Sequence, residues 1–158
     1  MIALLGLIPF LIYTIGVMVK WGVQPSISKS YYCHEDKLLW WAFIIAFSLP
    51  VMIEAANQNA TLMWIAGGCS WFVGASPDFL RMLAGGKSNE YTVHMIAAYA
   101  LVLFAILGIG IDLGMWTFAV IIFAVIAGLK LFKIPNDIWW IEVVAMFAAV
   151  GALTYSAL

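Results

Sequence analysis

This chain carries little charge: seven Lys and Arg and eight Asp and Glu among 158 residues, or 9%. A soluble domain carries about 25%. A water-exposed fold of this length cannot hide a composition that is 66% hydrophobic, so lipid has to cover most of the surface. The net charge of −1 comes with no basic stripe or tail, which excludes nucleic acid as a partner. Only two cysteines are present, Cys33 in a polar connection and Cys69 in an apolar segment, and no disulfide framework is expected. No basic stretch precedes the first apolar run; Lys20 follows it, the pattern of a retained anchor with its start left outside. Strict alternation of apolar and polar residues is also missing, so a membrane barrel is excluded and helices remain.

Six apolar segments are present, at about Ile2–Val19, Leu38–Ala56, Thr61–Ala75, Tyr91–Ile111, Met115–Leu131 and Ile138–Leu158. Each approaches the ~20 residues that cross a hydrocarbon core ~30 Å thick. The connections between them alternate in charge. The first holds Lys20, Lys29 and Lys37, the third Arg81 and Lys87, and the fifth Lys130 and Lys133. The second, the fourth and both termini hold no Lys or Arg. Cytoplasmic connections are enriched in these residues, so the odd-numbered ones are placed in the cytoplasm. The expectation is an all-α polytopic protein of the plasma membrane, a single domain of six transmembrane helices with both termini outside. The eight tryptophans fall near segment edges, as an interfacial belt requires.

Small residues form ridges at helical spacing: Gly67, Ser70 and Gly74; Ala97, Leu101, Ala105 and Gly108; Ala145, Ala149 and Ala152. Such faces let helices approach closely in lipid, within one chain or between the subunits of a homo-oligomer. Pro9 and Pro50 each remove a backbone bond inside a helix and can kink it.

Chemistry concentrates in the two long connections, both on the lysine-rich side. The first runs Gln24-Pro25-Ser26-Ile27-Ser28-Lys29-Ser30-Tyr31-Tyr32-Cys33-His34. Its hydroxyls and Lys29 can hold a phosphate or lipid headgroup; the competing reading is a short interfacial helix capped by Ser26 with its tyrosines at headgroup depth. In the third, Ser76, Pro77 and Asp78 read as the start of a short surface helix that Gly85-Gly86 ends. His94 lies one turn inside segment four and Glu142 one turn inside segment six. An ionisable group at that depth normally faces the bundle interior and has a partner, so His94 is expected to meet Asp78, Glu90 or Glu142. It then serves as a polar lock, a proton relay, a metal ligand or a base. A metal site from His34, His94, Asp78 and Cys33 has no Cys-x-x-Cys or His-Glu-x-x-His spacing behind it. A hydrolase built on Ser28 or Ser76, His94 and Asp78 has no Gly-x-Ser-x-Gly elbow. Glu54, Asn57, Gln58 and Asn59 read as a solvated turn on the other side.

The stretches Gln24–Tyr32, Phe72-Val73-Gly74-Ala75-Ser76-Pro77-Asp78-Phe79 and Val93-His94 resemble a group of uncharacterised small bacterial polytopic membrane proteins. Pro25-x-Ile27-Ser28 after a first helix is also similar to the six-helix Frag1/DRAM/Sfk1-like proteins, which carry that motif on the non-cytoplasmic side. The resemblance implies that the neighbourhoods of Ser28 and Tyr31, Asp78 and His94 belong to one site. The expected ligand-binding residues are Ser28, Lys29, Ser30, Tyr31, Asp78, His94 and Glu142. The expected function is non-enzymatic: binding, and in an oligomer moving, a membrane-lipid headgroup or small solute. No catalytic residue, metal or cofactor is assigned. A membrane-embedded lipid hydrolase and a structural subunit of a membrane complex are the alternatives.

Overall fold

In a computed structural model of the chain, the backbone is described for residues 1–35, 37–82 and 89–158, and side chains for the same residues except 75–82 and 89–91. Among the described residues there is no strand, and there are seven helices. Six are α-helices: α1 (Ala3–Trp21), α2 (Leu38–Asn57), α3 (Thr61–Met82), α4 (Asn89–Ile111), α5 (Trp116–Leu131) and α6 (Asp137–Ser156). The seventh is a 3₁₀ helix, Ser28–Cys33, in the first connection. Four helices are long and apolar enough to cross a membrane: Ala3–Trp21, Leu38–Asn57, Thr92–Ile111 and Asp137–Ser156. Thr61–Gly74 and Trp116–Leu131 are shorter apolar helices. The chain is thus a helical protein compatible with a membrane.

Consecutive helices pack side by side, and α6 returns to touch α1, α2, α4 and α5. Small residues set the spacing. A side chain at Gly6 would come within 2.6 Å of the Phe47 carbonyl oxygen, so only glycine lets α1 lie this close to α2. The small-residue ridges are used inside the chain: Gly74 meets Ile44 and Gly67 meets Met52 across the α2–α3 contact, Gly108 meets Met63 on α3, and Ala145, Ala149 and Ala152 are buried. Aromatic rings fill the α1–α2 seam, with Tyr13 stacked on Phe43 at 4.1 Å and Phe10 against Phe47 at 5.4 Å.

Two sequence expectations change. Helix α3 runs on through Ser76-Pro77-Asp78 to Met82, with no new helix start at Ser76. Pro77 cannot bond the Val73 carbonyl one turn back, and the Val73 backbone is instead a hydrogen-bond partner of His94, so the helix carries the proline within it. Two of the tryptophans, though at helix ends, face the protein interior: Trp40 and Trp139 are enclosed, and Trp40 donates its indole N–H to the Gly74 carbonyl at 3.1 Å.

The two ends of the bundle differ. One gathers the start of α1, the α2–α3 turn and the ends of α4 and α6. The other gathers the first connection, the starts of α4 and α6 and the end of α5, with Lys20, Lys29, Lys37, Lys130 and Lys133.

At the lysine-poor end, two carboxylates close helix starts from another element. Glu54 Oε2 accepts the N–H groups of Ile2 and Ala3 and pairs with the Met1 amino group at 2.6 Å. Asp112 Oδ2 accepts from Leu62 at 2.7 Å and Met63 at 3.2 Å. The first N–H groups of a helix have no intrahelical partner, and a carboxylate there also meets the positive end of the helix dipole. The solvated turn expected here holds for Asn57 and Asn59, which are exposed, and is corrected at Glu54, which is buried; Gln58 joins it at 2.9 Å while also donating to the Leu153 carbonyl at 2.8 Å.

Candidate functional site

At the lysine-bearing end the first connection folds back onto the bundle. Gly22 ends α1 with φ of 77°, a left-handed conformation suited to glycine. The Asn136 amide holds Val23 by its carbonyl at 3.1 Å, tying this connection to the start of α6. Ser26 Oγ then accepts the Lys29 N–H at 3.1 Å from one position ahead of Ile27, which rather than Ser26 is the N-cap of the 3₁₀ helix. At the other end of that helix, Lys37 Nζ donates to the carbonyls of Tyr31 at 2.7 Å and His34 at 2.5 Å, where an ammonium favours the negative end of a helix.

Around this short helix lie Ser28, Ser30, His94 and Glu142 of the expected residues. The Ile27 N–H donates to Glu142 Oε2 at 2.5 Å. Ser28 Oγ lies 3.1 Å from His94 Nε2 and 3.1 Å from Ser26 Oγ, and both Ser28 and His94 are buried. The backbone of Val73 on α3 is a further hydrogen-bond partner of His94, which fixes its ring between α3 and the first connection. Ser30 Oγ donates to the Ile27 carbonyl at 2.5 Å. Its single proton is used there, so Tyr13 donates to Ser30 at 2.7 Å and in turn accepts from His34 Nε2 at 3.1 Å. A hydrogen-bonded chain thus runs from His34 through Tyr13 and Ser30 to the backbone of the 3₁₀ helix.

His94 meets Ser28, while Glu142 goes to the Ile27 amide. Tyr31 is fully buried, with Trp40 edge-on at 6.2 Å and the Lys37 ammonium 4.3 Å from its ring centre; Tyr32 is exposed. Lys29 is exposed on the outer side of the turn. The side chains of Asp78, Ser76 and Glu90 lie outside the described residues. The two imidazoles go to different partners, Tyr13 for His34 and Ser28 for His94. Among the described residues no three His, Cys, Asp or Glu side chains are grouped as metal ligands.

Burial, with the nearby Lys37 and Lys20 ammonium groups, lowers the His34 pKa below the ordinary imidazole value, so His34 is neutral at pH 7. Tyr13 was missed from sequence, because a tyrosine in an apolar run reads as core until its hydroxyl is seen to meet two partners. The only available signal was its position two turns before Lys20 on one helix face.

No family model, curated protein or solved structure matches the chain.

Proposed function

We propose that the protein is a six-span membrane protein, with its lysine-bearing end in the cytoplasm, that binds a lipid headgroup or small polar solute at the Ser28–His94 cluster. The carrying observation is the 3.1 Å contact between Ser28 on the first connection and His94 on α4, buried at the end where the lysines gather. Hydroxyl and imidazole groups supply both donors and acceptors, which suits a polar headgroup. The cluster is closed by its own hydrogen bonds, so a ligand enters by exchanging with one of them. Ser28–His94 joins two side chains, each free to turn about its own bonds, whereas Glu142–Ile27 holds a backbone amide that cannot turn away alone. Ser28–His94 is the bond that opens. The sequence resemblance adds the Tyr31 and Asp78 neighbourhoods to the proposed site, and the chemistry of Lys29 and Ser30 adds these two. Native mass spectrometry of the detergent-purified protein tests this reading: a co-purifying ligand lost in both Ser28→Ala and His94→Ala supports it, and an identical ligand set in parent and variants overturns it.

A second reading, a lipid hydrolase, rests on the same contact, because a serine hydroxyl within reach of an imidazole nitrogen is the start of a nucleophile–base pair. Its signature is labelling of Ser28 by a fluorophosphonate probe that His94→Ala abolishes. A protein that stays unlabelled leaves the binding reading in place.

A further inference from the structure

A groove of about 460 Å³ runs between α1 and α2 and ends at the first connection; neither Ser28 nor His94 lines it, though its Tyr13 bonds Ser30 at 2.7 Å. Its volume falls within the ~300–1,000 Å³ of ordinary ligand pockets. Small side chains hold it open: Gly16 on α1 faces the groove together with Ala42 and Ala46 on α2. A Cβ at Gly16 would meet nothing within 4 Å, so this glycine is not needed for helix contact.

The groove is apolar along its length and polar at one end. At that end Lys20 is exposed, its ammonium 4.5 Å from the centre of the Trp21 ring. His34 sits between Trp21, at 4.7 Å, and Tyr13, at 5.3 Å. No carboxylate is among the described lining residues, and the ion pairs among the described residues are Met1–Glu54 and Lys130–Asp137, neither involving Lys20. An apolar channel on two helices apolar enough to span a bilayer, closed by a cation with no carboxylate partner among the described residues and by an indole beside it, matches a molecule with a hydrocarbon tail and an anionic head.

We propose that this groove binds an anionic phospholipid, with one acyl chain along Gly16, Ala42 and Ala46 and the phosphate against Lys20. The site uses its own residues and needs no ligand at the Ser28–His94 cluster.

The test adds phosphatidylglycerol or phosphatidylcholine of matched chain length to delipidated protein in detergent and counts bound lipid by native mass spectrometry. One phosphatidylglycerol per chain is expected, retained on the order of fivefold better than phosphatidylcholine, the effect of one lysine near an anionic head. Lys20→Ala is expected to remove that preference. Gly16→Leu fills the channel and is expected to abolish retention of both lipids; leucine is also the better helix former, so the helix is kept. Ala42→Leu repeats the blockade from the opposite wall should the first variant fail to fold. Equal retention of both lipids by the parent protein, or undiminished retention in the folded blocked variants, overturns the proposal and leaves only non-specific annular lipid.

Discussion

The backbone N–H of Ile27 meets the carboxylate of Glu142 at 2.5 Å, joining positions 115 residues apart. Glu54 and Asp112 repeat the device at the opposite end, where each accepts backbone N–H groups at the start of another helix. All three acids therefore have a structural use, binding elements distant in sequence.

Removing the Glu142 carboxylate is expected to loosen the first connection. Glu142→Ala leaves the Ile27 N–H without its acceptor, at a cost of about 1–3 kcal/mol, whereas the amide oxygen of Glu142→Gln still accepts and recovers much of it. Thermal unfolding in detergent measures both. An alanine variant as stable as the parent would show that this bond contributes nothing.

Glu54→Ala is expected to destabilise the other end by a similar amount, about 1–3 kcal/mol, because the N–H groups of Ile2 and Ala3 lose their shared acceptor. Hydrogen exchange should show faster opening of the first turn of α1. Exchange unchanged there would refute the capping role.

Ser28 and His94 are expected to couple energetically. A double-mutant cycle with Ser28→Ala and His94→Phe should return about 0.5–1.5 kcal/mol, the net worth of one buried hydrogen bond. Strict additivity would mean that the two side chains do not act together.

Acid should weaken the protein through His34. Its pKa is lowered in the folded state, so the unfolded chain binds the proton more readily. Stability from this group is fully present above the ordinary imidazole pKa and is lost as pH falls through the window between that value and the lower folded one. His34→Phe should flatten stability against pH in that window. A parent protein with no such slope would contradict the burial of a neutral ring.

Sidedness is tested with Cys33, half-exposed in the lysine-bearing connection, in a Cys69→Ser background. A membrane-impermeant thiol reagent should leave intact cells unlabelled and label inverted vesicles. The reverse pattern would turn the Ser28–His94 cluster to the other compartment.

Much of the helical pattern could be read directly from the residues. Unbroken apolar runs place α1, α2, α5 and α6 to within about two residues, because a backbone in lipid must bond within its own segment. The break expected at Ser76-Pro77 is absent: α3 carries Pro77 within it, and the Val73 backbone that a proline four residues on leaves unbonded is taken up by His94, a pairing no local signal contains. Candidate residues could be singled out by type: His94 and Glu142 are polar groups inside apolar segments, and Ser28 lies in a hydroxyl-rich connection.

Which partner each polar group takes was not legible. Glu142 reaching Ile27, His94 reaching Ser28 and Tyr13 bridging Ser30 to His34 all depend on which helix faces which. Composition and order along the chain determine that the protein is helical, apolar and charged mainly at one end, because these follow from transfer free energies that act residue by residue. Pairing across the bundle, and the open channel beside Gly16, were decided only by the packed tertiary structure. Hydrogen bonds and close contacts depend on distances that no single segment contains.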